Sequence, residues 1–269
     1  MGTLLQFFSD SPLLQRIRIS ISTETVQDIS PDRVISLNSL VEMDYYSYYQ
    51  AGSILPFLRL PRLKMLCATS SAGPGQVQRL ADILPHDGHA LLAQMVRVLY
   101  RYNPDLEIVS VDLSGNEVEA SFHAIYTDGI VDWFSDQTAI PFGRIEELVI
   151  EGSSSAAGFP IDVFALKNLK ILQVAPWDGQ FAEEVLRPFH PVPEMEVPCQ
   201  SLREIEYSYR GDDGPLPTSL ISLVKKRKQA GYQLDLVCLA VVRESDLDLV
   251  EELREDVLEV QARLWDGKE

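Results

Sequence analysis

An irregular α/β solenoid with a mostly parallel, curved sheet is the fold this sequence predicts, and three observations predict it. One rhythm, apolar at steps one, four and six, is written several times, as in "RLKMLCAT" (62–69), "KNLKILQVA" (167–175) and "SLREIEYS" (201–208). Short apolar segments of helical spacing lie between the copies, several punctuated by proline: "SILPFLRLP", "FPIDVFALK", "QFAEEVLRP" and "TSLISLVKKRKQAG". The composition, 46% apolar and 23% charged over 269 residues, is that of a folded chain able to bury a large core.

The rhythm is an L-x-x-L-x-L triplet, kept loosely at eight places. They are Leu14/Ile17/Ile19, Leu40/Met43/Tyr45, Leu63/Leu66/Ala68, Ile108/Val111/Leu113, Ile145/Leu148/Ile150, Leu169/Leu172/Val174, Leu202/Ile205/Tyr207 and Leu234/Val237/Leu239. First positions are 26, 23, 45, 37, 24, 33 and 32 residues apart. Three of these gaps match the roughly 20 to 29 residues of a leucine-rich repeat, and the longer ones read as repeats with insertions. A strand, a turn, a short helix and a return cannot bury their own apolar face, so neighbours must stack into a horseshoe with helices on its convex side. Crossovers are expected to be right-handed.

Residues 1–244 make that solenoid, with an insertion around 70–107. Within it, Asp87 opens a helix whose Leu92, Met95, Val96 and Leu99 share one face and which ends at Asn103-Pro104. Two apolar runs about a Ser-Gly-Asn turn then predict an antiparallel hairpin near 108–125. "DGIVDWFSDQT" reads as a further helix. Residues 245–269 predict a C-terminal capping helix: Ser245 and Asp248 form a capping box, and Val250, Leu253, Val257, Val260 and Leu264 recur by three and four. It would cover Leu236 and Cys238 on the last strand, or else pair with a partner helix.

Charge excludes some partners. With 23 basic and 40 acidic residues the formal charge is -17, which repels phosphate backbones and anionic lipid, so neither nucleic acid nor membrane is expected. Cys67, Cys199 and Cys238 are odd in number and lack a C-x-x-C pair, which predicts a reducing compartment, cytoplasmic or nuclear. No apolar run reaches membrane-spanning length.

Catalytic signatures are absent: there is no G-x-S-x-G, H-E-x-x-H, P-loop or EF-hand pattern. "AGPGQ" and "EGSSSAAG" read as turns. In "PHDGH", His86, Asp87 and His89 carry metal-ligand chemistry but have no second ligand pair, so a turn that starts a helix is the favoured reading. No catalytic residue, metal or cofactor is therefore expected. "KKRK" (225–228) fits either a localisation patch or the basic last turn of a helix capped by Gly231. "DYYSYYQ" is the densest aromatic cluster.

In a parallel strand, the residues flanking the last two apolar steps point to the opposite, concave face. That face is predicted to carry Arg16, Arg18, Glu42, Asp44, Tyr46, Met65, Asp112, Glu147, Glu151, Ile171, Gln173, Glu204 and Glu206. Seven carboxylates then face two arginines, a surface suited to a protein partner with a basic segment.

"DISPDRVISLNSL", "AGSILPFLRLPRLKML", "VDWFSDQTAIPFGRIEELVIEG" and "LVKKRKQAGYQLDLVCL" resemble the leucine-rich C-terminal part of fungal F-box proteins over nearly the whole chain. The resemblance implies the substrate-recognition part of a ubiquitin-ligase receptor. The repeats begin at once with "LLQFFSDSPLLQRIRIS", without a preceding F-box, so adaptor and cullin are expected as partners only where an F-box is restored. The alternatives are a scaffold protein that oligomerises through its C-terminal helix and, further off, a hydrolase using the residues of "PHDGH" and "SFHAI".

Overall fold

Each apolar triplet except Ile108/Val111/Leu113 forms one strand and the turn that enters it. The structure, a computed structural model, describes residues 2–21, 34–47, 54–72, 77–78, 84–103, 108–126, 130–131, 142–153, 162–192, 194–208, 217–242 and 246–264. In chain order the strands are β1 (Arg16–Ile21), β2 (Ile35–Ser36), β3 (Glu42–Ser47), β4 (Leu58–Arg59), β5 (Met65–Ala72), β6 (Val77–Gln78), β7 (Arg97–Asn103) and β8 (Ile108–Ser114). They continue with β9 (Glu119–Tyr126), β10 (Ile130–Val131), β11 (Glu147–Gly152), β12 (Ile171–Pro176), β13 (Glu204–Tyr207), β14 (Leu236–Val242) and β15 (Glu259–Leu264). The helices are few and short: α1 (Gly2–Asp10), α2 (Gly88–Leu92), α3 (Gly179–Leu186), α4 (Thr218–Gln229) and α5 (Leu247–Asp256). The chain is thus mixed α/β, and its ladders are mostly parallel, with β8 antiparallel to β9.

It divides into two units. Unit 1 comprises Met1–Val96 and Asp105–Pro141, and its main ladder runs β1-β3-β5-β9, all parallel, with β8 antiparallel to β9. Unit 2 comprises Arg97–Pro104 and Phe142–Glu269, and its ladder runs β7-β11-β12-β13-β14-β15, parallel throughout.

The repeats share a backbone device that sequence alone does not display. The first apolar residue of a triplet donates its N–H to the carbonyl three residues earlier: Leu40 to Leu37, Leu63 to Leu60, Ile145 to Phe142, Leu169 to Leu166 and Leu202 to Cys199. One residue before each of β1, β3, β11, β12 and β13, a carbonyl then accepts two successive N–H groups of the next repeat. Gln15 accepts from Val41 and Glu42, Val41 from Lys64 and Met65, Glu146 from Lys170 and Ile171, Lys170 from Arg203 and Glu204, and Arg203 from Asp235 and Leu236, all at 2.8–3.2 Å. These bonds satisfy polar backbone that stacking would otherwise bury unpaired.

Between strands, short 3-10 turns such as Leu55–Phe57 and Val163–Ala165 occupy the segments with helical spacing. Asp162 caps the second of these by accepting from the Phe164 N–H, and Asp178 caps α3 by accepting from the Phe181 N–H at 2.7 Å. The "KKRK" run closes α4, with Gly231 beyond it at φ 84°. Its Arg227 is fully buried, which removes it from any exposed basic patch; its guanidinium donates to the Pro198 and Cys199 carbonyls at 2.9 and 3.0 Å. Burial pulls that guanidinium down to about 10 and pushes the buried Cys199 thiol up to about 12.

Three expectations are corrected. The helix expected from Asp87 to Asn103 is only Gly88–Leu92, and Met95, Val98 and Tyr100, all buried, form a further triplet on strand β7. The single helix expected over 245–269 is α5 followed by strand β15, which pairs in parallel with β14. Leu236 and Cys238 are therefore flanked by Glu259 and Gln261 of β15 rather than covered by the helix, whose Val250 and Leu253 are buried and which packs against α4. In both places apolar residues three apart satisfy a helix face and a triplet equally. The third correction concerns Ile108/Val111/Leu113, whose strand β8 is antiparallel, so it belongs to the predicted hairpin and not to a parallel repeat. At the hairpin turn a Cβ on Gly115 would stand 2.3 Å from the Gln94 carbonyl oxygen, so only glycine fits. Of "DGIVDWFSDQT", Ile130 and Val131 are strand β10, and the rest lies outside the described residues, as do Tyr48 and Tyr49 of the aromatic cluster.

Candidate functional site

Strand alternation puts the triplet residues on one face of each ladder and the residues between them on the other. In unit 1 that second face is organised in rungs set by the parallel register. Arg16, Glu42, Met65 and Glu119 form one rung, and Arg18, Asp44, Cys67 and Ser121 the next. A third holds Ser20, Tyr46, Thr69 and His123, with Ser110 of β8 opposite His123.

The first two rungs line an open groove of about 400 Å³. Five of the predicted concave-face residues, Arg16, Arg18, Glu42, Asp44 and Met65, line it, together with Cys67, Glu119 and Ser121. Tyr46 is half-buried on the third rung, and Asp112 lies opposite Ser121 on β8. The arginines of the edge strand reach across to the carboxylates of its neighbour: Arg16 Nε lies 2.5 Å from Glu42 Oε2, and Arg18 Nε lies 2.6 Å from Asp44 Oδ2. Both arginines are well exposed, so each pair adds less than about 1 kcal/mol and serves to orient the side chains. Met65, 46% exposed between charged neighbours, gives the groove an apolar wall. Burial, reinforced by the charges of Asp44 and Asp112, holds the Cys67 thiol above its ordinary range, which keeps it protonated and a poor nucleophile at neutral pH.

Unit 2 carries the remaining predicted residues, and here the expected charge balance changes. Arg97 and Arg101 of β7 lie opposite Glu147 and Glu151 of β11, with Nε–O distances of 2.7 and 2.8 Å. Arg97 and Arg101 therefore join the two predicted arginines, and Glu119 and Glu259 join the seven predicted carboxylates. The signal for Arg97 and Arg101 is in the sequence: they flank Val98 and Tyr100 as Glu42 and Asp44 flank Met43. Further along, Ile171 and Gln173 stand beside Glu204 and Glu206, and β15 adds Glu259 to the same rung as Glu204. Burial, followed by the charges of Glu206, Glu204 and Glu259, raises the Cys238 thiol above its ordinary value.

The residues of "PHDGH" serve the fold. Asp87 accepts the Leu60 N–H at 2.8 Å and the His86 N–H donates to the Leu58 carbonyl, while His86 and His89 are exposed. Among the described residues, no group of three or more His, Cys, Asp and Glu side chains is placed to hold a metal ion. His190 is held in one tautomer: Nε2–H donates to the Ser219 carbonyl at 3.1 Å, which leaves Nδ1 to accept from Lys226 Nζ at 3.5 Å. Burial, then the neighbouring Lys226 charge, lowers its proton affinity.

No protein-family model, no curated protein and no solved structure matches the chain. Among the described residues, no helix is long and apolar enough to cross a membrane.

Proposed function

We propose that the chain is a protein-binding module, an irregular leucine-rich-repeat solenoid without catalytic chemistry, and that the groove of unit 1 receives an extended segment of its partner. The observation that carries this reading is the open groove of about 400 Å³, with two arginine–carboxylate pairs on one side and Met65 and Glu119 on the other. Such a surface offers an apolar contact and fixed charges of both signs, which select a partner by complementarity more than they tighten it. A basic side chain of the segment fits beside Glu119, since Glu42 and Asp44 already have arginine partners. The repeated triplet and the shared entry device support the solenoid reading, and the high proton affinity of the Cys67 thiol speaks against nucleophilic use of the groove.

The resemblance extends this to the substrate-recognition part of an F-box-type ubiquitin-ligase receptor, in a cytoplasmic or nuclear setting. Ligase adaptor and cullin are partners only of a form carrying an F-box. The scaffold alternative is less favoured, because α5 turns Val250 and Leu253 into the chain and leaves them unavailable to a partner helix.

Affinity capture with quantitative mass spectrometry tests the proposal. Wild-type chain is compared with Met65→Asp/Asp44→Lys, each checked for intact secondary structure by circular dichroism. At least one protein is expected to fall about tenfold in recovery, the loss that about 1.4 kcal/mol of binding energy gives. Recovery that is the same for both chains removes the groove from the reading.

A further inference from the structure

The triplets differ in one respect along each ladder. Those entering β3, β5, β7, β11, β12, β13 and β14 are buried, every residue at 7% exposure or less. At the two terminal strands the pattern fails. On β1, Ile17 and Ile19 are only half-buried, and on β15, Val260 is half-buried and Ala262 exposed. Large apolar side chains also stand in solvent just before these strands in the chain: Phe7 of α1 and Leu13 (82%) before β1, Leu247 of α5 and Leu258 (71%) before β15. A ladder edge with incompletely buried apolar residues is a template for another strand.

The two edges match in charge at one rung. Edge strand β1 bears Arg16 and Arg18, 79% and 85% exposed and paired on their inner side with Glu42 and Asp44. On edge strand β15 the corresponding face bears Glu259, Gln261 and Arg263, with Glu204 of β13 on the rung of Glu259. Their register is complementary as well. In every parallel pair of unit 2 from β12 to β15, strand starts align, as Leu236 does with Glu259. Continuing that register by one strand sets Arg16 of another copy beside Glu259, Ile17 beside Val260 and Ile19 beside Ala262. The Leu258 carbonyl then stands where Lys170 and Arg203 stand in their own repeats, ready to accept two successive N–H groups, here those of Gln15 and Arg16.

We infer that copies of this chain associate with one another, β1 of one copy adding in parallel to β15 of another. The occupant is a second copy because it alone brings the triplet, the arginine spacing and the register at once. The contact is heterologous, since it joins two different edges. A net charge of -17 opposes it, which makes the association weak and dependent on concentration. It shares Arg16 with the groove, and Glu259, which lies outside the groove, separates the two readings: Glu259→Arg should disturb self-association and leave capture of a groove partner unchanged.

Sedimentation equilibrium of the full chain over a wide concentration range tests this. The weight-average mass is expected to rise above the 30.2 kDa monomer as concentration increases. Arg16→Glu alone and Glu259→Arg alone should each weaken association about tenfold, a loss in the range of charged interface pairs. An equimolar mixture of the two variants should restore it, since one variant's new carboxylate then meets the other's new guanidinium across the contact. Unfolding curves that match wild type establish that both variants fold, and restoration in the mixture gives a second, independent control. A monomer mass at every concentration overturns the inference. So does a mixture that fails to recover, or a loss caused by Arg16→Glu but not by Glu259→Arg, which would mean β1 pairing with itself.

Discussion

Both units set an arginine strand against a carboxylate strand, yet they put different residues between the pairs. In unit 1, Arg16 and Arg18 occupy consecutive rungs and the face beside them opens into a groove. In unit 2, Arg97 and Arg101 are two rungs apart, and Leu99 and Val149 fill the rung between them, buried at 9% and 5%. Strand for strand, Leu99 stands where Arg18 stands. The comparison teaches that the same ion-pair ladder frames an accessible surface or a packed interior according to one intervening residue on each strand. Arginine at that position keeps its head in water, whereas leucine there is stable only when covered.

The largest effect that separates the two cases is truncation of that rung. Leu99→Ala is expected to cost about 2 to 3 kcal/mol in urea unfolding, the range for deleting a buried leucine side chain. Arg18→Ala in unit 1 should cost less than about 1 kcal/mol, as for an exposed pair. Equal costs would break the distinction between surface and interior. A smaller effect concerns the pairs themselves. Arg97→Gln should destabilise more than Arg16→Gln, because the Arg97–Glu147 side chains are 41% and 27% exposed against 79% and 33% for Arg16–Glu42. Both changes should stay within about 1 kcal/mol, and the difference should shrink as salt is added.

The smallest effect is one of acidity and belongs to unit 2. His190 has its folded proton affinity lowered below the ordinary histidine value of 6.5, chiefly by burial. As pH falls through that value the unfolded chain takes up the proton first, so stability should decline as pH drops below it and level off once the folded state also protonates. Above neutrality the residue should contribute no pH dependence. His190→Gln should flatten the acid-side slope in unfolding titrations, and an unchanged slope would remove His190 as its source.

Much of the ladder was legible because a triplet encodes strand, turn and burial together. Leu169, Leu172 and Val174 are read correctly from spacing alone, and so are their neighbours on β11, β13 and β14. Legibility ends where spacing is shared. Met95 and Val98 are three apart, as are Val257 and Val260, and three residues return to the same side of a helix as readily as they begin a triplet. The triplet does not carry strand direction, since Ile108, Val111 and Leu113 present the same apolar steps whichever way β8 runs; there the Ser-Gly-Asn turn gave the direction. The candidate site inherits both limits. Arg16, Arg18, Glu42, Asp44 and Met65 of the groove follow from the triplet register, whereas Glu119 and Ser121 lie on β9, which carries none of the eight triplets, and Arg97 and Arg101 were hidden inside the supposed helix. Glu259 was hidden inside the other.

The doubled N–H donation into one carbonyl recurs unchanged at joins whose connecting segments are very unequal. Leu40 and Leu63 start 23 residues apart, Leu169 and Leu202 start 33 apart, and both following strands are anchored alike. Length is thus taken up entirely off the ladder, where doubling a loop costs only about 0.6 kcal/mol of closure entropy. The fold is in that sense a modular frame, with constant fastenings and interchangeable spans, and a foreign segment spliced between the exposed Met195 and Glu196 would leave the Cys199–Leu202 turn and the carbonyls that hold Arg227 in place.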